Sequence, residues 1–375
     1  MINHSPIFVK VFFIVFCATV ESSFAQITNE PFGELIHYQN IKEAVINLTT
    51  EKVREAINNG VKIDQMDQNG KNLLMYAIQY HARLDVIQFI IANSEDLHVR
   101  DSRGYTPLIY AAGWNNEPAV TKILLDSGVA VDWPRDLQGR TPLMFAAWSS
   151  SSLLILQLLL AAGAQIDART HYGDTSLMYA ARNNPKEEIL DYLIQSGSKT
   201  DAREQFGNTP LMYASQYNEN NKLIEILLNA GADIEKRNNN GWTPLMLAIR
   251  GNNHHHVIRS LLEGGADKDS RQDLLGNTPL IFAAGMVTNP SIVQTLIDAG
   301  SRLNARRNDG VTALMEAATN NQSSEVLIIL LDAGADPYVR DIEGRTAWDL
   351  VQENNILKET PAYWKLHDLF FNSNS

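Results

Sequence analysis

Three adjacent histidines, His254, His255 and His256, invite a metal-site reading. At the start of a helix each step along the chain turns the side chain by about 100°, so the three point in different directions. They also fall in a link between helices, where the corresponding links elsewhere carry Asn, Glu or Pro. A second candidate is a stripe of methionines, since thioether clusters can bind copper(I). Met75, Met144, Met178, Met212, Met246 and Met315 are six of the nine in the chain. They recur once per structural unit, which sets neighbours on the order of 10 Å apart, too far to share an ion. Core packing is the better reading. The acid pair Glu187-Glu188 lies on a predicted solvent-facing helix and reads as solvated charge. There is no Gly-Lys-Ser/Thr phosphate loop, no Gly-x-Ser-x-Gly elbow and no His-Glu-x-x-His helix. No catalytic residue, metal site or cofactor is expected, and no enzyme.

What dominates the chain is a phrase, Gly-x-Thr-Pro-Leu. It reads Gly104-Tyr105-Thr106-Pro107-Leu108 and recurs from Gly139, Gly207, Gly241 and Gly276, with Ser176 replacing the proline in the copy at Gly173. Weaker copies start at Gly70, Gly310 and Gly344, and successive glycines lie 34 or 35 residues apart. A period of this length means a solenoid of stacked units rather than a compact domain with one central site.

One unit can be read from Asp101 to Val131. Gly104 serves a turn by taking positive φ. Thr106 caps a helix, and Pro107 sits at its first position, where a missing N–H costs nothing. Leu108, Ala111 and Ala112 form the apolar stripe. A second helix is predicted over Pro118–Asp126, ended by Gly128 as a left-handed cap. Gly163, Gly197, Gly231, Gly265, Gly300 and Gly334 are the equivalent helix-ending glycines. Alanine pairs such as Ala146-Ala147 and Ala180-Ala181 permit close approach of neighbouring helices.

Turn, Thr-Pro-Leu, two short helices and a Gly-Ala-Asp exit (Gly231-Ala232-Asp233, Gly334-Ala335-Asp336) resemble the ankyrin repeat over roughly residues 50–351. The resemblance implies an all-α repeat solenoid, stacked helix–turn–helix units joined by β-hairpin-like turns. Two departures stand out. The family's His after Thr-Pro-Leu is replaced by Met75, Ile109, Met144, Met178, Met212, Met246, Ile281 and Met315, so apolar packing is expected in place of histidine hydrogen bonds. Asn115, Asn184, Asn218, Asn252 and Asn321 fall where the family prefers Gly, and a left-handed backbone is expected there. The expected organisation is a signal peptide over 1–25, capping helices over 26–62, about eight ankyrin repeats over 63–340, and a capping repeat with a closing helix over 341–375. The cap over 26–62 is read as helices Ile36–Val45 and Thr50–Asn59. The closing helix is read over Pro361–Phe371, with Tyr363, Trp364, Leu366, Phe370 and Phe371 covering the open edge.

The signal peptide is read from Lys10, the apolar run Val11–Val20 and the small-x-small site Ser23-x-Ala25. Ten apolar residues are too few for a membrane span. Cys17, the one cysteine, lies inside this segment, which leaves a mature chain without disulfides, thiol nucleophile or zinc-thiolate site. Hydrophobic residues make up 45% of the sequence, as in folded soluble proteins, and the net charge of −12 argues against nucleic acid and suits a basic partner.

The resemblance implies that a partner is held by residues flanking the turn glycine and by the end of the first helix, on a concave face. Those positions include Tyr80, Tyr105, Trp114, Trp148, His171, Tyr172, Phe206, Tyr217, Trp242, Leu274 and Met286, with Leu137 and Leu275 beside them. Arg103, Arg140, Arg182 and Arg250 are interleaved. Tyr and Trp dominate interface hot spots. The expected function is a non-enzymatic protein-binding scaffold, periplasmic or secreted, and monomeric because both ends are capped. The alternatives are an inhibitor or immunity protein that occludes a toxic enzyme, and a secreted effector that binds a host protein.

Overall fold

The computed structural model describes residues 45–149, 152–252, 254–272 and 274–372. The expected signal peptide, Cys17 and all but the last residue of the expected helix Ile36–Val45 lie outside them. The chain divides into two compact units, Met1–Ser102 and Arg103–Ser375. In the first, α1 (Thr50–Asn58) and α2 (Leu73–Gln79) both pack against α3 (Leu84–Asn93). Val53, Leu74, Met75, Val86 and Ile90 are buried between them. Asn72 takes the place of the capping threonine, its Oδ1 accepting the Met75 N–H at 3.0 Å.

The second unit is an all-α repeat solenoid. Its helices come in pairs: α4 (Pro107–Gly113) with α5 (Pro118–Asp126), α6 (Pro142–Ser149) with α7 (Leu153–Ala161), and α8 (Ser176–Asn183) with α9 (Glu187–Gln195). Next come α10 (Pro210–Tyr217) with α11 (Lys222–Asn229), α12 (Pro244–Gly251) with α13 (His255–Glu263), and α14 (Pro279–Met286) with α15 (Pro290–Asp298). Then follow α16 (Ala313–Asn320) with α17 (Ser324–Asp332), and α18 (Ala347–Val351) with α19 (Pro361–Asn372). The first helices of successive pairs pack on one another from α4 to α18, and the second helices from α5 to α19. The result is two helical layers with the core between them.

Local chemistry accounts for each pair. Thr106, Thr209, Thr243 and Thr278 cap the first helices, each Oγ1 accepting the N–H three residues on at 3.2–3.4 Å. Each such cap contributes about 1 kcal/mol. The second helices end on glycines in the left-handed region, such as Gly231 at φ 86°. In the turns the constraint is tighter. Gly207 has φ 80°, and a Cβ there would come within 2.5 Å of both Arg203 Nη2 and Asn239 Oδ1. Met75, Met144, Met178, Met212, Met246 and Met315 are buried in the first helices, as are Ile109 and Ile281. Ala146, Ala147, Ala180 and Ala181 are buried where their helices meet.

The link asparagines correct the expectation of a left-handed backbone. Asn184, Asn218, Asn252 and Asn321 have φ between −77° and −114° and are extended. Asn115 does not have positive φ either. Their side chains are what the position requires. Asn218 is buried, and its Nδ2 donates to Ala181 O and Asn184 O of the preceding repeat, both at 3.1 Å. Its Oδ1 accepts the Asn220 N–H at 3.0 Å, which shapes its own link. Asn252 then donates to Asn218 O at 2.7 Å. Asn321 donates to Ala284 O and Val287 O at 2.6 and 3.0 Å, and Asn354 to Ala318 O and Asn321 O at 3.1 Å. These carbonyls lie at or just beyond the end of the preceding first helix, where intrahelical partners run out. Glycine could not satisfy them.

At the C-terminal end, α19 packs on α17 and α18. Leu366 is buried, and the Tyr363 ring lies 4.9 Å from that of Trp348. Trp364 and Phe371 keep about half their surface exposed.

Truncating Asn218 strips donors from two buried carbonyls. Asn218→Ala is expected to lose about 2–3 kcal/mol of unfolding free energy in urea. Asn218→Asp keeps the acceptor and loses the donors, so it should cost nearly as much. Asn229→Ala, at an exposed helix end, should stay within about 0.5 kcal/mol. Equal midpoints for all three would contradict the bonding role.

A candidate protein-binding face on the turns

Several turns between repeats are organised from inside by one polar side chain. The buried Asp136 accepts the Gln138 and Arg140 N–H groups on Oδ1 at 3.0 and 2.7 Å. Glu204 accepts Phe206 and Asn208 N–H at 2.9 and 2.8 Å, and Asn238 accepts Asn240 and Trp242 N–H at 3.0 Å. Turns are also tied to one another through their tips. Leu137 N donates to Arg103 O, His171 N to Gln138 O, and Gln205 N to Tyr172 O, at 3.2, 3.0 and 2.8 Å. Asn239 N donates to Phe206 O, Asn308 N to Leu275 O and Ile342 N to Asp309 O, at 2.9, 3.0 and 3.0 Å. Backbone hydrogen bonds therefore join the tips from Arg103 to Asn239 and again from Leu275 to Ile342, with Gln272 Nε2 donating to Asn240 O at 3.2 Å between them. A third set joins the helix exits. Asp132 accepts the Gln165 N–H at 2.7 Å, Asp167 that of Lys199 at 3.1 Å and Glu235 that of Asp267 at 2.7 Å.

Behind the tips lies an aromatic cluster centred on Arg140. Its Nε bonds Asp136 Oδ2 at 2.7 Å, and its Nη2 donates to the Tyr105 hydroxyl at 2.9 Å. The guanidinium sits 4.6 Å from the Phe145 ring centroid and 6.0 Å from that of Trp148. Trp114 lies 5.4 Å from both Tyr105 and Phe145. Burial opposes the charge on Arg140, but Tyr105 and Asp136 hold the guanidinium firmly protonated.

The expected partner-binding residues divide three ways. Exposed at turn tips or first-helix ends are His171, Tyr172, Phe206, Tyr217, Leu274 and Met286, together with Leu137 and Leu275. Half-buried are Tyr80, Trp114, Trp148 and Trp242. Tyr80 belongs to the first unit, where it stacks on Tyr76 at 6.2 Å. Trp242 leans on Phe282 at 4.6 Å, with the Arg250 guanidinium 5.0 Å from its ring. Tyr217 carries the Arg182 guanidinium at 4.6 Å. Tyr105 corrects the expectation of an exposed ring. It is 2% exposed because Tyr110, Trp114 and Phe145 enclose it and Arg140 ties down its hydroxyl.

His254 and His256 both lean on Glu219, with their ring centroids 5.3 Å apart. His254 Nε2 lies 3.2 Å from Glu219 Oε1, whereas His256 Nε2 lies 2.9 Å from Glu219 O. Among the described residues no group of three His, Cys, Asp or Glu is placed to hold a metal, and no helix is long and apolar enough to cross a membrane.

Sequence reasoning missed three features of this face. Trp133 and Ile342 are exposed, at 69% and 74%. Ile342 occupies the same tip position as Leu137, a match that counting from the turn glycine would have found. The third is a column of arginines at a fixed repeat position, Arg135, Arg169, Arg203, Arg237, Arg271, Arg306 and Arg340. Its 34- or 35-residue period was visible in the sequence.

Family models of ankyrin repeats match this chain over residues 74–170, 177–272 and 252–341, and again over 149–194. An ankyrin repeat protein of Rickettsia felis is 31% identical over 100 residues. That alignment covers 27% of this chain and 26% of the relative.

The tyrosines of this region make a pH test. Burial raises the phenols of Tyr105 and Tyr213 above their ordinary value, with Asp174 adding to the effect at Tyr213, and pushes Tyr179 to about 12. The unfolded chain releases these protons near pH 10, while the folded state keeps them. Stability is thus full below about pH 10 and falls as pH rises toward the folded values. Urea midpoints should drop between about pH 9.5 and 11.5, and Tyr179→Phe should flatten part of the drop. A variant with the wild-type pH slope would contradict the assignment.

Proposed function

The chain belongs to the ankyrin-repeat family, and on that premise we propose that it is an exported scaffold holding a partner protein on the turn face of its second unit. Ankyrin repeats are protein–protein interaction scaffolds and typically carry no chemistry of their own. One observation carries the choice of face. Leu137, Tyr172, Phe206, Leu274 and Leu275 stand exposed on tips whose backbones are hydrogen-bonded from repeat to repeat. A turn needs only polar residues to fold, and apolar side chains displayed together are the usual mark of a contact site. Holding them on fixed backbones lowers the ordering cost of binding. Export is supported by Lys10, the apolar run Val11–Val20 and the Ser23-x-Ala25 site.

Two measurements test this reading. Capture from periplasmic extract by wild type should fall at least tenfold with Tyr172→Ala, Phe206→Ala and Leu274→Ala combined, provided the variant keeps its thermal midpoint. Unchanged capture would move the site off the tips. Purified from its native compartment, the protein should begin at Gln26, and a chain retaining residues 1–25 inside the cytoplasm would contradict export.

A further inference from the structure

The arginine column runs beside the exposed tips. Arg169, Arg203, Arg271, Arg306 and Arg340 are exposed, and Arg135 and Arg237 are half-buried. Most of these guanidiniums are held by a neighbouring carbonyl rather than by a carboxylate. Arg135 Nη1 donates to Arg169 O at 3.2 Å, Arg237 Nη1 to Arg271 O at 2.6 Å and Arg306 Nη2 to Arg340 O at 2.8 Å. Arg169 Nη2 donates to Arg203 O, and Arg203 Nη2 meets Asn239 Oδ1 at 3.4 Å. At Arg169, Arg203 and Arg306 these acceptors are neutral, so the charge stays in place and most of the five donors remain to be used. Among the described residues no carboxylate pairs with Arg169, Arg203, Arg306 or Arg340.

The column is close to the tips. Arg169 Nη2 lies 3.3 Å from where a Cβ would stand on Gly173, next to Tyr172. Arg203 Nη2 lies 2.5 Å from the equivalent point on Gly207, next to Phe206. The turn carboxylates Asp136, Glu204 and Asp341 are buried and accept backbone N–H groups of their own turns. The other acidic row, Asp167, Asp201, Glu235 and Asp269, sits two residues before the arginines and is half-buried. It too accepts N–H groups, those of the next repeat. A protein of net charge −12 therefore presents a periodic line of cations along a row of exposed apolar tips.

We propose that this face takes an extended acidic segment of a protein partner, its carboxylates on the arginine column and its interspersed apolar side chains on Tyr172, Phe206, Leu274 and Leu275. Planar forks with a free edge favour carboxylates bidentately, and alternate residues of an extended chain face opposite ways, so one segment can serve both rows. The inference rests on the scaffold reading and refines it. Net charge alone suits a basic partner, whereas the local column selects an acidic one.

The test uses the full mature chain and a fluorescein-labelled peptide of four Glu-Leu-Glu-Ser repeats, about 50 Å long when extended, enough to cross about four or five repeats. Fluorescence anisotropy should show binding that weakens at least tenfold when Lys replaces Glu in the peptide. A similar loss is expected for Arg169→Gln, Arg203→Gln and Arg306→Gln combined, and again in 0.5 M salt. The matching Arg→Lys variant keeps the charge but not the fork, and should bind at least threefold more tightly than the glutamine variant while staying weaker than wild type, which separates charge from a folding defect. Absent binding, equal binding of the lysine peptide, an unaffected glutamine variant, or preference for a labelled DNA duplex would each overturn the proposal. The tip-variant capture experiment leaves the arginines untouched, so the scaffold reading stands or falls separately.

Discussion

The fold depends on hydrogen bonds that cross from one repeat to the next. A helix pair of eight or nine residues per arm cannot bury its apolar face alone, so stacking supplies the core. Apolar stacking by itself tolerates sliding, however. The asparagine links remove that freedom, because Asn218 can reach Ala181 O and Asn184 O only when the two repeats are in register. The same constraint repeats at Asn252, Asn321 and Asn354. Where the related family uses histidine between units, this chain buries methionine in the first helix and moves the polar cross-link one loop onward.

That register extends to the turns. Tip amides bond tip carbonyls of the preceding repeat, helix-exit carboxylates bond the next repeat's amides, and the arginine column bonds the next repeat's carbonyls. Loops are ordinarily the most mobile parts of a protein. Here the tips at Gln138, Tyr172 and Phe206 are held by the repeats on both sides, so exposed side chains there need not be loose. Partner recognition by such a surface needs no chemical step, only complementary shape and charge along a line.

Much of this was legible in the sequence, for physical reasons. A Gly-x-Thr-Pro-Leu phrase encodes a left-handed turn residue, a capping hydroxyl and a helix start within five residues, so the period alone placed every first helix of the second unit. The helix-ending glycines were equally explicit. What escaped were properties set by neighbours one period away. Tyr105 looks like a tip residue locally, yet Phe145 and Arg140 from the following repeat enclose it. The asparagines looked like backbone devices because Asn tolerates positive φ, but their amides were recruited by carbonyls 34 to 37 residues back. The arginines were hidden by a total charge of the opposite sign. Aligning the chain against itself, rather than reading along it, would have exposed all three.

Hydrogen exchange at the turns tests the central claim most directly. Amides of Leu137, His171, Gln205, Asn239, Asn308 and Ile342 should exchange as slowly as those inside the first helices, and Asn218→Ala should accelerate them most at His171, Gln205 and Asn239. If these amides exchange at the rate of free loops in the wild-type chain, the turns are not a fixed row. The cross-repeat bonds would then not be what positions the binding face.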